Sequence, residues 1–223
     1  MDLLDTFFNW PVFRGALPML LEGLWITILL GAVSIAVGFA GGLVTALVRL
    51  YVPLWLRTIA RIYIVVFRSI PLLVLLVLVY YALPFVGIRL TSFAAAATAL
   101  SLVSCAYTAE ILRAGIEAIP KGQFEASAAL GLSGMRAMTD IILPQAVRIV
   151  IPPLTNNSIN VVKDTALASV VAMPDLLKQA TQAQALAANP TPLIVAAAIY
   201  VAFLWPLVAL VSRAERRFAA RRR

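Results

Sequence analysis

The sequence predicts an all-α membrane protein, a polytopic helical bundle of about five transmembrane helices. Hydrophobic residues make up 62% of the 223 residues, and the mean hydropathy is +0.96. Soluble domains are only about 45–50% apolar, so the composition favours a membrane class. Four charge-free runs reach or approach the roughly 20 residues that a span needs: 23–48, 69–88, 90–109 and 179–212. A fifth candidate, 149–174, is interrupted by Lys163 and Asp164. This leaves no room for a second globular domain, and we expect one domain over residues 1–223.

The basic residues predict how the bundle is oriented. Of the 18 Lys and Arg residues, 13 lie in three alternating segments, around 49–61, 113–148 and 213–223. Cytoplasmic segments are enriched in Lys and Arg. The pattern therefore predicts the N-terminus outside, the C-terminus inside and an odd number of spans. The basic tail is explained by orientation and contact with anionic lipid, and we expect no nucleic-acid partner.

The composition also excludes several kinds of active site. The chain has no histidine, one cysteine and no G-x-x-x-x-G-K-[ST] phosphate loop. It offers no Cys or His cluster of the kind that binds metals. We therefore expect no catalytic, metal or cofactor site in this chain, and active transport would need a partner or an ion gradient.

The first two spans are predicted over about 22–48 and 62–83. Four aromatic residues before the first span favour a short stub at the membrane interface, namely Phe7, Phe8, Trp10 and Phe13. Gly38 and Gly41 would let another helix approach span one closely, either in ordinary bundle packing or at a dimer face. Pro71 lies in the first third of span two.

Span three, about 92–113, is rich in Ala and Ser and should be a packed interior helix. Glu110 and Arg113 near its end are three residues apart and can form an ion pair on one helix face. The loop over about 114–147 follows, and its pattern predicts two short helices with a break at Gly131. Pro144 should kink the chain where span four begins.

Span four, about 149–172, carries polar groups that cannot face lipid without partners. Asn156, Asn160 and Asp164 share one face by the i, i+4 rule, with Asn157 beside them. These groups could hydrogen-bond neighbouring helices, or they could line a solute pathway. Residues 173–190 are predicted as an external loop, and span five covers about 192–212.

Several motifs resemble those of polar amino-acid ABC-importer permeases. Residues 125–131 read E-A-S-A-A-L-G and residues 141–144 read I-I-L-P, similar to the family's coupling loop, E-A-A-x3-G-x9-I-x-L-P. Only Ser127 departs from it. Residues 67–73 (F-R-S-I-P-L-L), 106–116 (A-Y-T-A-E-I-L-R-A-G-I) and 163–167 (K-D-T-A-L) also resemble the family, specifically its histidine, glutamate, glutamine, arginine and opine branch.

The resemblance implies an assembly in the bacterial inner membrane. Two permease chains, identical or paralogous, would pair, and two ABC ATPase subunits would hold ATP and Mg²⁺. An extracytoplasmic solute-binding protein would deliver a polar amino acid. The residues implied for ATPase coupling are Glu125, Ala126, Ser127, Gly131, Leu143 and Pro144. The candidates for the substrate pathway are Arg68, Pro71, Asn156, Asn157, Asn160 and Asp164.

Two other functions remain open from the sequence. A gradient-driven carrier would work without an ATPase and would normally have inverted-repeat halves, which the sequence does not display. A membrane scaffold without a transport role would not need the polar groups of span four.

Overall fold

The computed structural model describes the backbone of residues 6–220, and the side chains of that range except those of residues 210 and 214–220. Most of the described residues are helical and none of them forms a strand, so the all-α prediction is confirmed. The main helices, in chain order, are α1 (Trp10–Tyr51), α2 (Leu54–Ser69), α3 (Leu72–Val77), α4 (Ser92–Glu117), α5 (Lys121–Ala129), α6 (Gly134–Arg136), α7 (Leu143–Asp164), α8 (Leu176–Ala187) and α9 (Thr191–Ala220). Most of the basic tail, from residue 214 onward, lies outside the described side chains.

The number of apolar helices agrees with the prediction of about five spans. Within residues 6–220, four helices are long and apolar enough to cross a membrane, and there is a fifth crossing if a bent helix pair counts as one span. The orientation of the termini stays a prediction from the charge pattern.

Helix α1 begins earlier than the sequence predicted. Its 42 residues start at Trp10, where the side chain of Asn9 accepts a hydrogen bond from the amide of Val12. Trp10 and Phe13, two of the four aromatic residues expected at the membrane interface, form the first turn of this helix, and their interfacial position stays a prediction. At 1.5 Å per residue α1 is about 63 Å long, about twice the thickness of the hydrocarbon core, so it is longer than one straight crossing needs.

Predicted span two is broken. Helix α2 and the segment Leu72–Val86 are bent by 103° relative to each other. Ile70 has extended backbone angles, as expected for a residue that precedes a proline, and Pro71 begins α3. The residues of predicted span two, 62–83, are therefore divided between two helices, because the first helix ends at Ser69 and the second begins after Pro71.

The centre of the bundle is the contact between α1 and α4. A Cβ atom on Gly38 would lie 2.5 Å from the Cβ of Ser104, and one on Gly42 would lie 2.5 Å from that of Thr108. Only glycine permits this close approach. The small residues of α1 thus serve helix packing within the chain, the first of the two roles that the sequence allowed.

Residues 173–190 were predicted as an external loop, and the prediction of a loop is wrong because this segment contains the helix α8. The carboxylate of Asp175 accepts a hydrogen bond from the amide of Lys178 and begins the helix. Leu176, Ala180 and Ala183 then pack against the first part of α1. This apolar contact stabilises a helix in a segment that is too polar for a span.

Candidate functional site

A cavity of about 510 Å³, the polar cavity, lies between α4 and α7, with apolar side chains as well as a cluster of polar ones in its lining. The face of α7 that the sequence singled out lines this cavity, with Asn156, Asn157, Asn160 and Asp164 together. Lys163 lines it too, although it was not proposed as a site residue. The substrate candidates of span four therefore share one cavity.

The opposite wall of the cavity comes from α4. It includes Ser104 and Tyr107, and the side-chain amide of Asn157 lies 3.5 Å from the hydroxyl of Ser104. The walls thus offer amide groups, hydroxyl groups, one carboxylate and one ammonium. Such a set can satisfy both the carboxylate and the ammonium group of an amino acid.

Arg68 and Pro71 do not line this cavity. The guanidinium of Arg68 lies 5.2 Å from the ring centre of Tyr107 and 3.9 Å from the carboxylate of Glu110. Pro71 stands at the break between α2 and α3. The structure therefore places Arg68 behind Tyr107, one side chain away from the cavity.

The ion pair predicted between Glu110 and Arg113 is confirmed, with 2.5 Å between Nη2 and Oε1. The structure adds two partners that the sequence did not indicate. Arg49 of α1 lies 2.5 Å from the other oxygen of Glu110, and Arg68 of α2 approaches the same carboxylate. One glutamate thus connects three helices.

The predicted break in the loop is confirmed. Helix α5 ends at Ala129, and Gly131 adopts a left-handed backbone with φ of +72°. The amide of Leu132 then donates to the carbonyl oxygen of Ser127 at 3.1 Å. A bond of this kind closes a helix at a left-handed glycine.

The residues of α5 divide into an outer and an inner face. Glu125 and Ala126 are exposed. Ser127 is 1% exposed, and its hydroxyl donates to the carbonyl oxygen of Gln123 at 2.6 Å. The one position that departs from the family motif therefore faces inward, where a small side chain suffices.

Two large apolar side chains stand out from the loop beside Gly131. Leu130 is 77% exposed and Met135 is 74% exposed. Neither was chosen from the sequence as a site residue. Both are apolar residues beside the turn predicted at Gly131, and this pattern could have identified them. Exposed apolar groups on a polar loop are typical of a protein contact.

Leu143 and Pro144 connect the loop to α7 through a π-helical turn, Ala137–Ile142. The amide of Leu143 donates to the carbonyl oxygen of Met138, five residues back. Proline is well tolerated in the first turn of a helix because the amide it lacks would be unpaired there. Pro144 thus lies in the first turn of α7, directly after the π turn, and the kink expected at this residue stays a prediction.

Comparison with known proteins gives a consistent result. Residues 38–223 match the family described as the binding-protein-dependent transport system inner membrane component. The arginine transport system permease protein ArtQ of Bacillus subtilis is 39% identical over 203 residues, which are 90% of this chain and 93% of that protein. The putative glutamine transport system permease protein GlnP of Rickettsia bellii is 38% identical, with the same coverage.

A solved structure supports the fold over nearly the full length. The crystal structure of an amino acid ABC transporter with histidines superposes with a TM-score of 0.88 and 35% identity. The superposition covers 97% of this chain and 99% of the other.

Proposed function

The chain belongs to the family of binding-protein-dependent transport system inner membrane components, and we propose that it moves a polar amino acid inward under the control of a separate ATPase. It is a permease component of an amino-acid ABC transporter and a multi-pass protein of the inner membrane. The proposal concerns its substrate, its partners and the way in which they are coupled.

The observation that carries the proposal is that α7 connects the exposed loop to the polar cavity. Pro144 lies at its beginning and Asn160 lines the cavity. Sixteen residues separate them, which is about 24 Å of helix. The helix is continuous between them, although Pro152 and Pro153 in its interior each remove a backbone hydrogen bond. A displacement of the loop would reach the cavity wall along this helix.

The coupling residues have distinct roles in this mechanism. Glu125, Ala126, Leu130 and Gly131 form the face that the ATPase would contact, and all four are exposed. Ser127 would fix the inner face of α5, and Leu143 and Pro144 would hold the start of α7 at the π turn. ATP and Mg²⁺ would bind to the partner ATPase, whose closing would pull two such loops together and turn the cavities outward. This is a two-state movement biased by nucleotide.

The solute would lie between α4 and α7. Asn156, Asn157 and Asn160 can donate to a carboxylate or accept from an ammonium, and Asp164 can accept from the ammonium. Relatives named for arginine and for glutamine transport agree with a polar amino acid. An extracytoplasmic binding protein would deliver it, and a second permease chain would complete the assembly.

A charge on the coupling face tests the proposal. Leu130→Asp should reduce co-purification of the ATPase at least about tenfold, because a central apolar contact contributes on the order of 2 kcal/mol to a protein interface. Leu186→Asp is the matched control, since Leu186 is 76% exposed on α8. Equal recovery of the ATPase with both variants would refute the role of the loop.

A further inference from the structure

A basic pocket of about 240 Å³ lies where α1 ends and α2 begins, beside the end of α4. Four arginines line it: Arg49, Arg57, Arg61 and Arg113. Glu117 is the one acidic residue in the lining. The pocket is separate from the polar cavity, which is lined by other residues.

The positive charge of this pocket is only partly neutralised. Arg49 and Arg113 pair with Glu110, and Arg113 also pairs with Glu117. Arg61 forms no ion pair with any residue that the structure describes. Two carboxylates, Glu117 in the lining and Glu110 outside it, therefore neutralise at most two of the four guanidinium charges, and an anionic ligand would find an excess of positive charge.

Arg57 and Arg61 are positioned to act together on one ligand. They are four residues apart on α2 and share one face of that helix. The Nε of Arg57 donates to the carbonyl oxygen of Val52 at 2.6 Å, which orients the side chain without removing its charge. A guanidinium presents a planar fork of donors that matches the oxygens of a phosphate.

The surroundings of the pocket indicate a lipid surface. Tyr51 is 58% exposed, Leu54 is 78% exposed and Trp55 is 64% exposed, and all three belong to the same corner of the chain. Exposed tyrosine and tryptophan at the end of a span are typical of the level of the lipid headgroups. Leu54 also lines the pocket, so the apolar surface and the arginines are continuous.

We propose that this pocket binds the headgroup phosphate of an anionic phospholipid. The acyl chains would lie against the exposed apolar residues of α2, and the phosphodiester would accept hydrogen bonds from Arg57 and Arg61. Basic pockets between membrane helices bind anionic headgroups elsewhere. The lipid would also neutralise the excess charge beside Glu110, where α1, α2 and α4 meet.

Native mass spectrometry of the purified full-length chain tests this proposal. The protein is equilibrated with micelles that contain equal amounts of phosphatidylglycerol and phosphatidylcholine. We expect the wild type to retain phosphatidylglycerol preferentially. Arg61→Gln should weaken that retention about fivefold, the effect of one arginine contact near an anionic membrane surface. Arg57→Gln tests the same site in a second variant.

Arg89→Gln is the matched control. Arg89 is exposed and precedes the first residue of α4, whereas Glu117 is the last residue of that helix. The control therefore removes an equal charge from the opposite end of α4, and lipid retention should not change. A thermal melt of each variant shows that the fold is retained.

Three outcomes would overturn the proposal. In the first, the wild type has no preference for phosphatidylglycerol, or Arg61→Gln retains this lipid as strongly as the wild type does. In the second, millimolar inorganic phosphate displaces the lipid completely, which would make the pocket a site for a soluble anion. In the third, Arg61→Gln leaves lipid retention intact but lowers the amount of ATPase that co-purifies with the permease, which would assign the arginines to a protein contact.

Discussion

Arg49 near the end of α1 and Glu110 near the end of α4 form an ion pair of 2.5 Å. The residues lie 61 positions apart in the sequence. Arg113 holds the other side of the carboxylate, also at 2.5 Å, and Arg68 approaches it at 3.9 Å. Because each arginine comes from a different helix, this carboxylate fixes how α1, α2 and α4 meet.

Removing the charge of Glu110 should loosen this junction. Glu110→Gln leaves three arginines near a neutral amide, and hydrogen bonds to charged groups contribute roughly 2 kcal/mol each. We expect a clear fall in the melting temperature of the purified protein. Glu117→Gln is the control, since the Glu117 side chain is 59% exposed and exposed ion pairs contribute about 0–1 kcal/mol. Equal melting temperatures for the two variants would contradict this account.

The polar face of α7 should control transport. Asn160→Leu and Asp164→Leu each remove a polar group from the cavity wall, and losing one hydrogen bond to a charged solute costs about 1.5–3 kcal/mol. We therefore expect amino-acid uptake to fall about tenfold or more, measured with radiolabelled substrate at limiting concentration. Gln182→Leu, on the exposed side of α8, should leave uptake unchanged. Normal uptake by both cavity variants would instead favour a packing role for these groups.

The stability of the protein should depend on pH through Asp175. This carboxyl is fully buried, and burial raises its pKa to about 6, against about 3.9 in an unfolded chain. The folded state therefore holds the proton more tightly. The resulting stabilisation is complete below about pH 4 and declines as the pH rises through about 6. Lowering the pH from 7 to 5 should add roughly 1 kcal/mol to the free energy of unfolding.

Asp175→Asn isolates this effect, because asparagine also begins helices well but does not titrate. Melting curves between pH 5 and pH 7.5 should have a smaller pH dependence in this variant than in the wild type. Asp140→Asn, at an exposed position, should keep the wild-type dependence. An identical pH profile for wild type and Asp175→Asn would exclude Asp175 as the source.

Local rules predicted the features that depend on neighbouring residues. Gly131 could be identified as a break because a left-handed turn favours glycine. The face formed by Asn156, Asn160 and Asp164 follows from the period of the helix. Glu110 and Arg113 lie on the same helix, so their ion pair could be expected as well.

Features that depend on distant parts of the chain could not be predicted in this way. Arg49 reaches Glu110 only after α1 and α4 have packed together. Helix α8 forms in a polar segment because Ala180 and Ala183 pack against α1, a contact that no local pattern reveals. The 103° bend beside Pro71 is also outside local rules, since a proline in a span can produce either a mild kink or a full break. The sequence signals the position of the disruption but not its angle.

The central claim is that this chain moves amino acids only when a separate ATPase acts on its loop. The most direct test uses vesicles that carry the permease in their membrane, with or without the ATPase on the inside. The extracytoplasmic binding protein is supplied on the outside. A mixture of radiolabelled polar amino acids is added outside, and ATP with Mg²⁺ is enclosed inside. We predict accumulation only when the ATPase and ATP are both present. Accumulation at the same rate without the ATPase would contradict the account and would point to a gradient-driven carrier.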